Sequence, residues 1–74
     1  MDKTVYVARV DVLQDTTQSS FEVFDTYAKA LVFIIGAMTE SRDIWGEDDI
    51  TFFVDNNYWS STDYEVMINE RVVK

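Results

Sequence analysis

The chain has 74 residues, of which 14 are Asp or Glu and six are Lys or Arg, so its formal charge is −8. This length allows a single domain, residues 1–74, and the charge argues against direct binding to DNA, RNA or an anionic membrane. The chain has no cysteine and no histidine, which excludes a disulfide framework, a thiolate nucleophile and the most common general base and metal ligand.

The first part of the chain has the alternation and the β-branched residues that are typical of strands. A strand is predicted from Thr4 to Leu13 and a second from Ser20 to Phe24, joined by the polar residues 14–19. Together they predict a β-hairpin. The side chains of the first strand expected to face the core are Tyr6, Ala8, Val10 and Val12.

A helix is predicted from Thr26 to about Ser41, with Asp25 as its N-cap because a carboxylate there can accept a bond from a free backbone N–H. The apolar stripe expected to lie on the sheet consists of Tyr27, Leu31, Ile34, Ile35 and Met38. The residues outside this stripe that are candidates for self-association are Val32, Phe33, Gly36 and Ala37. Two explanations stay open for them: contact with loops of the same domain, or the seam of a homodimer.

The second half of the chain is predicted to add a charged loop and two further strands. The loop runs from Ser41 to Asp49, a short apolar strand from Ile50 to Val54, and a longer strand from Asp63 to Val73. Tyr58 and Trp59 either extend one of these strands or lie in the loop between them. The prediction is an α+β fold of order ββαββ, with one helix packed on a small antiparallel sheet.

The only cluster of carboxylates in the sequence is Glu47-Asp48-Asp49. Carboxylate catalysis needs one acid desolvated beside another, and consecutive residues in a glycine-containing loop tend to be exposed. The cluster also lacks the alternating pattern of a calcium loop, and Gly36 and Gly46 do not form a phosphate-binding loop. We therefore expect no enzyme, no catalytic or metal-binding residue and no cofactor.

The acids concentrate between Glu40 and Glu65, where the only base is Arg42. They are Glu40, Asp43, Glu47, Asp48, Asp49, Asp55, Asp63 and Glu65. Such a field raises the encounter rate with a basic partner. Three aromatic residues lie among these acids and could anchor an interface: Trp45, Tyr58 and Trp59. The alternative is that the acids only keep a small protein in solution and that the two tryptophans cap its core.

Nothing in the sequence predicts a membrane span or export. The longest apolar run, Ala30 to Met38, has nine residues, against about 20 for a span. The first residues, Met1-Asp2-Lys3-Thr4, lack the pattern of a secretory signal. The expected location is the cytosol.

Three features together suggest a family: the absence of cysteine, histidine and proline, the segment S-F-E-V-F-D-T-Y-A-K-A-L from Ser20 to Leu31, and the acid-rich second half. In these the chain resembles the small host-takeover proteins of bacteriophages. Several of those families act as DNA mimics, including inhibitors of uracil-DNA glycosylase, anti-CRISPR proteins and an inhibitor of the nucleoid-associated protein HU. The resemblance implies a phage protein that acts in the bacterial cytoplasm by occupying a basic groove.

The functional hypothesis is a non-enzymatic inhibitor whose acidic face blocks the DNA-binding surface of a host protein, with HU as the favoured target. One alternative in the same class is an inhibitor of a defence nuclease or of uracil-DNA glycosylase. An alternative from another class is a structural or adaptor module that self-associates and has no basic partner.

Overall fold

A computed structural model describes residues 3–73 of the chain; Met1, Asp2 and Lys74, which complete the predicted domain, lie outside these residues. The described part forms a four-stranded antiparallel sheet with the strand order β2-β1-β4-β3. The strands are β1 (Lys3–Val12), β2 (Ser20–Phe24), β3 (Tyr58–Ser60) and β4 (Tyr64–Val73). The helices are α1 (Tyr27–Gly36) and α2 (Glu47–Asn56). The predicted α+β class, with helical structure on a small antiparallel sheet, is confirmed.

The predicted β1–β2 hairpin is present and fixes the position of the core. β1 pairs antiparallel with β2 from Tyr6↔Phe24 to Val10↔Ser20. On its other edge β1 pairs with β4 along its whole length. Because side chains alternate across a sheet, the opposed pairs Ala8↔Ile68 and Val10↔Val66 lie on one face. The side chains of all four are buried, as the alternation predicted.

Helix α1 lies on that face with the predicted apolar stripe turned inward. Ile34 and Met38 are fully buried, and the other three residues of the stripe pack against the core cluster. A wider π-helical turn, Ala37–Ser41, continues α1, so the helical segment ends where the sequence predicted. No helix in residues 3–73 is both long enough and apolar enough to cross a membrane.

The predicted N-cap of α1 is wrong by one residue. Thr26, not Asp25, directly precedes the first helical residue, and in its extended backbone conformation its hydroxyl oxygen accepts the Lys29 backbone N–H at 3.3 Å. Asp25 instead forms an ion pair with the Lys29 side chain, with its carboxylate oxygen 3.1 Å from Nζ. That contact lowers the pKa of the Asp25 carboxyl.

The predicted strand from Ile50 to Val54 is also wrong, because this segment belongs to α2. The helix takes in the last three residues of the predicted loop, and the element order becomes ββααββ. Its inward residue is Phe53, fully buried, whose ring centroid lies 5.1 Å from that of Trp45. The helix ends at Asn57, which has a left-handed φ of 56°, a conformation that Asn tolerates better than most residues.

Candidate functional site

Helix α2 begins with three consecutive acids that have different surroundings. Asp49 is half-buried, and its Oδ2 accepts the backbone N–H of the N-cap residue Gly46 at 3.0 Å. Its Oδ1 accepts the indole Nε1–H of Trp59 at 3.3 Å. Glu47 and Asp48 are exposed. The positive end of the helix dipole favours all three carboxylates, but only Glu47 and Asp48 are free to meet a partner.

The outward side of α2 combines acids with an exposed aromatic ring. Asp48, Phe52 and Asp55 are spaced by four and three residues, so they lie on the same side of the helix. The two acids are separated by about 10.5 Å along the axis, at about 1.5 Å per residue. Phe52 lies between them and is 50% exposed. Glu47, Asp48, Phe52 and Asp55 are called the acidic face of α2 below.

No base among residues 3–73 forms an ion pair with this face. The sequence has no Lys or Arg between Arg42 and Arg71, so α2 has four acids and no base. The ion pairs found in residues 3–73 are Arg9–Asp11 and Lys29–Asp25, and neither includes α2. The acids of α2 therefore present uncompensated negative charge to solvent.

Glu40 and Asp43 lie on the segment that leads into this helix. Both are exposed, and Asp43 has a left-handed φ of 53°. Just beyond it, the backbone N–H groups of Ile44 and Trp45 donate to the Met38 carbonyl at 2.8 and 3.1 Å. These bonds hold the α1–α2 connection close to the end of the first helical segment. Two more predicted acids are thereby placed on the helical side of the molecule.

The last two predicted acids, Asp63 and Glu65, do not lie on the helices. Asp63 lies in the turn before β4, where its carboxylate accepts the side-chain amide of Gln14 at 2.5 Å. Glu65 is on β4 directly opposite Asp11 of β1, and both residues alternate with the core-facing positions. Glu65 therefore lies on the face of the sheet that the helices leave uncovered, and its carboxylate accepts the Tyr58 hydroxyl at 3.2 Å.

The three aromatic residues proposed as anchors do not form one exposed group. Trp45 is only 6% exposed and belongs to the core, and Trp59 packs edge-on against it with ring centroids 5.5 Å apart. Tyr58 is 42% exposed but lies on the open sheet face beside Met67. Phe52, which sequence analysis placed inside an apolar strand, is the exposed aromatic residue next to the acids. The signal that could have found it is its helical spacing from Asp48 and Asp55.

The self-association candidates in the first helical segment are only partly exposed. Val32 is 71% exposed, and Phe33 packs on Phe24 with ring centroids 5.5 Å apart. Gly36 and Ala37 are half-buried. An open apolar groove is lined by Phe24, Ala28, Lys29, Val32 and Phe33.

Within residues 3–73 no three acidic side chains come together in a way that could hold a metal ion. Comparisons with protein-family models, with curated proteins and with solved structures found no match. The charge and shape of the surfaces described above are therefore the features that indicate a function.

Proposed function

We propose that the protein is a non-enzymatic DNA mimic that inhibits a nucleic-acid-binding protein. The acidic face of α2, together with Glu40 and Asp43, would enter the DNA-binding groove of the partner. There the carboxylates would pair with the Lys and Arg side chains that otherwise hold phosphates. The observation that carries the proposal is a whole helix with four acids and no base, none of whose acids forms an ion pair within the described part of the chain.

The position of Asp55 supports a role for these charges beyond stability. Asp55 lies in the last turn of α2, where the helix dipole disfavours a negative charge. No base occurs within the helix to offset this cost. The helix dipole stabilises the charge of Asp48 and destabilises that of Asp55, yet both residues contribute to the same outward face. A helix selected only for stability would place a base at the second position.

Phe52 supplies what carboxylates alone lack, namely apolar contact area near the middle of the face. Interface hot spots are enriched in large side chains surrounded by a polar rim that excludes water. With Asp48 on one side and Asp55 on the other, Phe52 has that arrangement. Charge would then determine the rate and salt dependence of binding, and burial of the ring would slow dissociation.

The favoured partner is the nucleoid-associated protein HU, and the proposed setting is the cytoplasm of a bacterial host during phage infection. This choice rests on the resemblance to phage host-takeover proteins in size, composition and layout. A basic groove that accepts duplex DNA without base-specific contacts needs only a suitably spaced set of negative charges to be occupied. The acidic face of α2 offers such a set on a rigid element.

A competition experiment tests the proposal. HU is bound to a fluorescent DNA duplex, and the protein is titrated in while anisotropy reports the release of DNA. The variant Asp48→Asn/Asp55→Asn removes two charges from the acidic face, and Asp15→Asn/Glu70→Gln removes two exposed charges elsewhere. We expect the first variant to compete about tenfold less well and the second to lose at most about threefold, with both effects shrinking as salt rises.

Equal losses for the two variants would contradict a localised acidic face. Failure of the wild-type protein to displace DNA would remove HU as the target. The same titration against uracil-DNA glycosylase and a defence nuclease, read as inhibition of each enzyme, would show whether another basic groove is the target.

A further inference from the structure

Strand β2 is an edge of the sheet and has no covering element on its outer side among the described residues. It is the first strand in the order β2-β1-β4-β3, and within residues 3–73 it pairs with β1 alone. Four of its five residues are exposed. It contains no proline, no lysine and no arginine, which are common protections of an edge strand, and its one charged residue is Glu22, opposite Ala8 of β1. Its free backbone N–H and C=O groups are positioned to pair with another strand.

An apolar surface continues from this edge onto α1. Val32, 71% exposed, and Phe33 lie beside Phe24 of β2 around the groove described above. A strand that adds to the β2 edge would therefore also bring apolar side chains over this groove. The backbone edge and the groove are independent features, and they lie on the same side of the molecule.

This side of the molecule also carries little of the negative charge of the chain. Residues 20–37 contain two acids, Glu22 and Asp25, and one base, Lys29. The Lys29 ammonium group already pairs with Asp25 at 3.1 Å. In contrast, the acidic face of α2 lies on the other helix. Two chains of net charge −8 can thus approach through β2 with their strongest negative surfaces apart.

We infer that two copies of the chain join along β2, related by a two-fold axis perpendicular to the sheet. The two β2 strands pair antiparallel and make one continuous eight-stranded sheet, with both α1 helices on the same side. Val32 and Phe33 of each copy then pack across the junction. Such an interface is self-complementary, as closed dimers require. The inference is independent of the proposed function.

Charge and the groove together select the register of the two strands. With both helices on the same side, the symmetric pairings that match several residues of β2 place Phe21, Glu22 or Val23 on the two-fold axis. The register centred on Glu22 sets this residue directly against its own copy, which is destabilising. The register centred on Phe21 leaves Phe24, and with it the groove, outside the paired residues. The register centred on Val23 places Glu22 opposite Phe24 of the second copy. We therefore expect the register centred on Val23.

Analytical ultracentrifugation tests the dimer in the full chain. We expect a dimer at about 1 mM protein, which strengthens between about 0.05 M and about 1 M NaCl as repulsion between the copies is screened. Val32→Glu places a charge at the junction and should weaken dimerisation at least about tenfold. Val72→Glu alters an exposed valine on β4 and should leave it within about twofold. A chain that is monomeric under all these conditions, or equal effects of the two variants, would overturn the inference.

The absence of cysteine from the sequence allows a second test of the register. In Val23→Cys, the two thiols of a dimer centred on residue 23 lie opposite each other, at a Cα separation of about 4.5–5.5 Å that a disulfide can bridge. Oxidation should therefore give a covalent dimer at concentrations where Val72→Cys stays monomeric. Equal yields from the two variants would exclude the β2 junction.

Discussion

Asp49 and Trp59 connect the start of the second helix to the short third strand. The carboxylate Oδ1 of Asp49 accepts the indole N–H of Trp59 at 3.3 Å, and Oδ2 of the same carboxylate accepts the Gly46 backbone N–H at 3.0 Å. Trp59 in turn packs edge-on against the buried Trp45. One side chain therefore fixes both the first turn of α2 and the ring that covers the core beneath it.

Replacing Asp49 by alanine should lower the free energy of unfolding by about 1–2 kcal/mol, because a capping bond and a side-chain hydrogen bond are lost together. Asp48→Ala removes the same charge one residue earlier and loses only the dipole interaction, about 0.3–1 kcal/mol. Urea unfolding followed by tryptophan fluorescence measures both. Equal losses would mean that the two bonds of Asp49 contribute nothing beyond its charge.

The adjacent residues Phe52 and Phe53 should differ sharply in their effect on stability. Phe53 is fully buried against Trp45, so Phe53→Ala should cost about 3–5 kcal/mol. This is enough to unfold much of so small a domain. Phe52 is half-exposed, and Phe52→Ala should change stability by no more than about 0.5 kcal/mol. Thermal unfolding by circular dichroism distinguishes the two, and similar losses would place Phe52 in the core.

Asp55→Asn should stabilise the fold while weakening partner binding. Removing a negative charge from the last turn of α2 relieves an unfavourable interaction with the helix dipole worth about 0.3–1 kcal/mol. The same change takes one charge from the acidic face. Urea unfolding and the HU competition assay, run on one preparation, should therefore move in opposite directions. A gain in stability without a loss of competition would remove Asp55 from the interface.

The ion pair of Asp25 with Lys29 should make part of the stability depend on pH. The Lys29 side chain lowers the pKa of the Asp25 carboxyl below its ordinary value of 3.8. Since the folded-state pKa is depressed, the contribution is present above that ordinary value and lost as the pH falls through the folded-state pKa. NMR titration should show the low pKa in the wild-type protein and a return toward 3.8 in Lys29→Met. An unchanged pKa in that variant would exclude the ion pair as the cause.

Alternation of residues was sufficient to predict β1 and β4, because each has one face on the core and a long enough pattern to show it. It also located β2, although four of the five residues of that strand are exposed. The helix α2 was missed for a physical reason. Its middle, I-T-F-F-V, consists of β-branched and aromatic residues that favour strands when considered alone. Burial of Phe53 against Trp45 and the cap from Asp49 outweigh that preference. The local signals for the helix were Gly46, the three acids that follow it and the terminal Asn57.

The same error explains why the candidate site could be predicted only in part. The sequence shows how many acids the second half contains, but not which of them share a face. In a strand, Asp48 and Asp55 would point to opposite sides; in a helix, seven residues bring them to the same side. Glu65 could be separated from this group only once β4 was known to place it on the uncovered face of the sheet.

The uncovered face of the sheet and the helix α2 differ in charge. The uncovered sheet face has three bases, Lys3, Arg9 and Arg71, and two acids, Asp11 and Glu65, whereas α2 on the opposite side has four acids and no base. The protein is therefore a permanent electric dipole as well as an anion. A positively charged surface would exert a torque on it during diffusion and rotate it helix-first before contact. A smaller fraction of collisions would then occur in unproductive orientations.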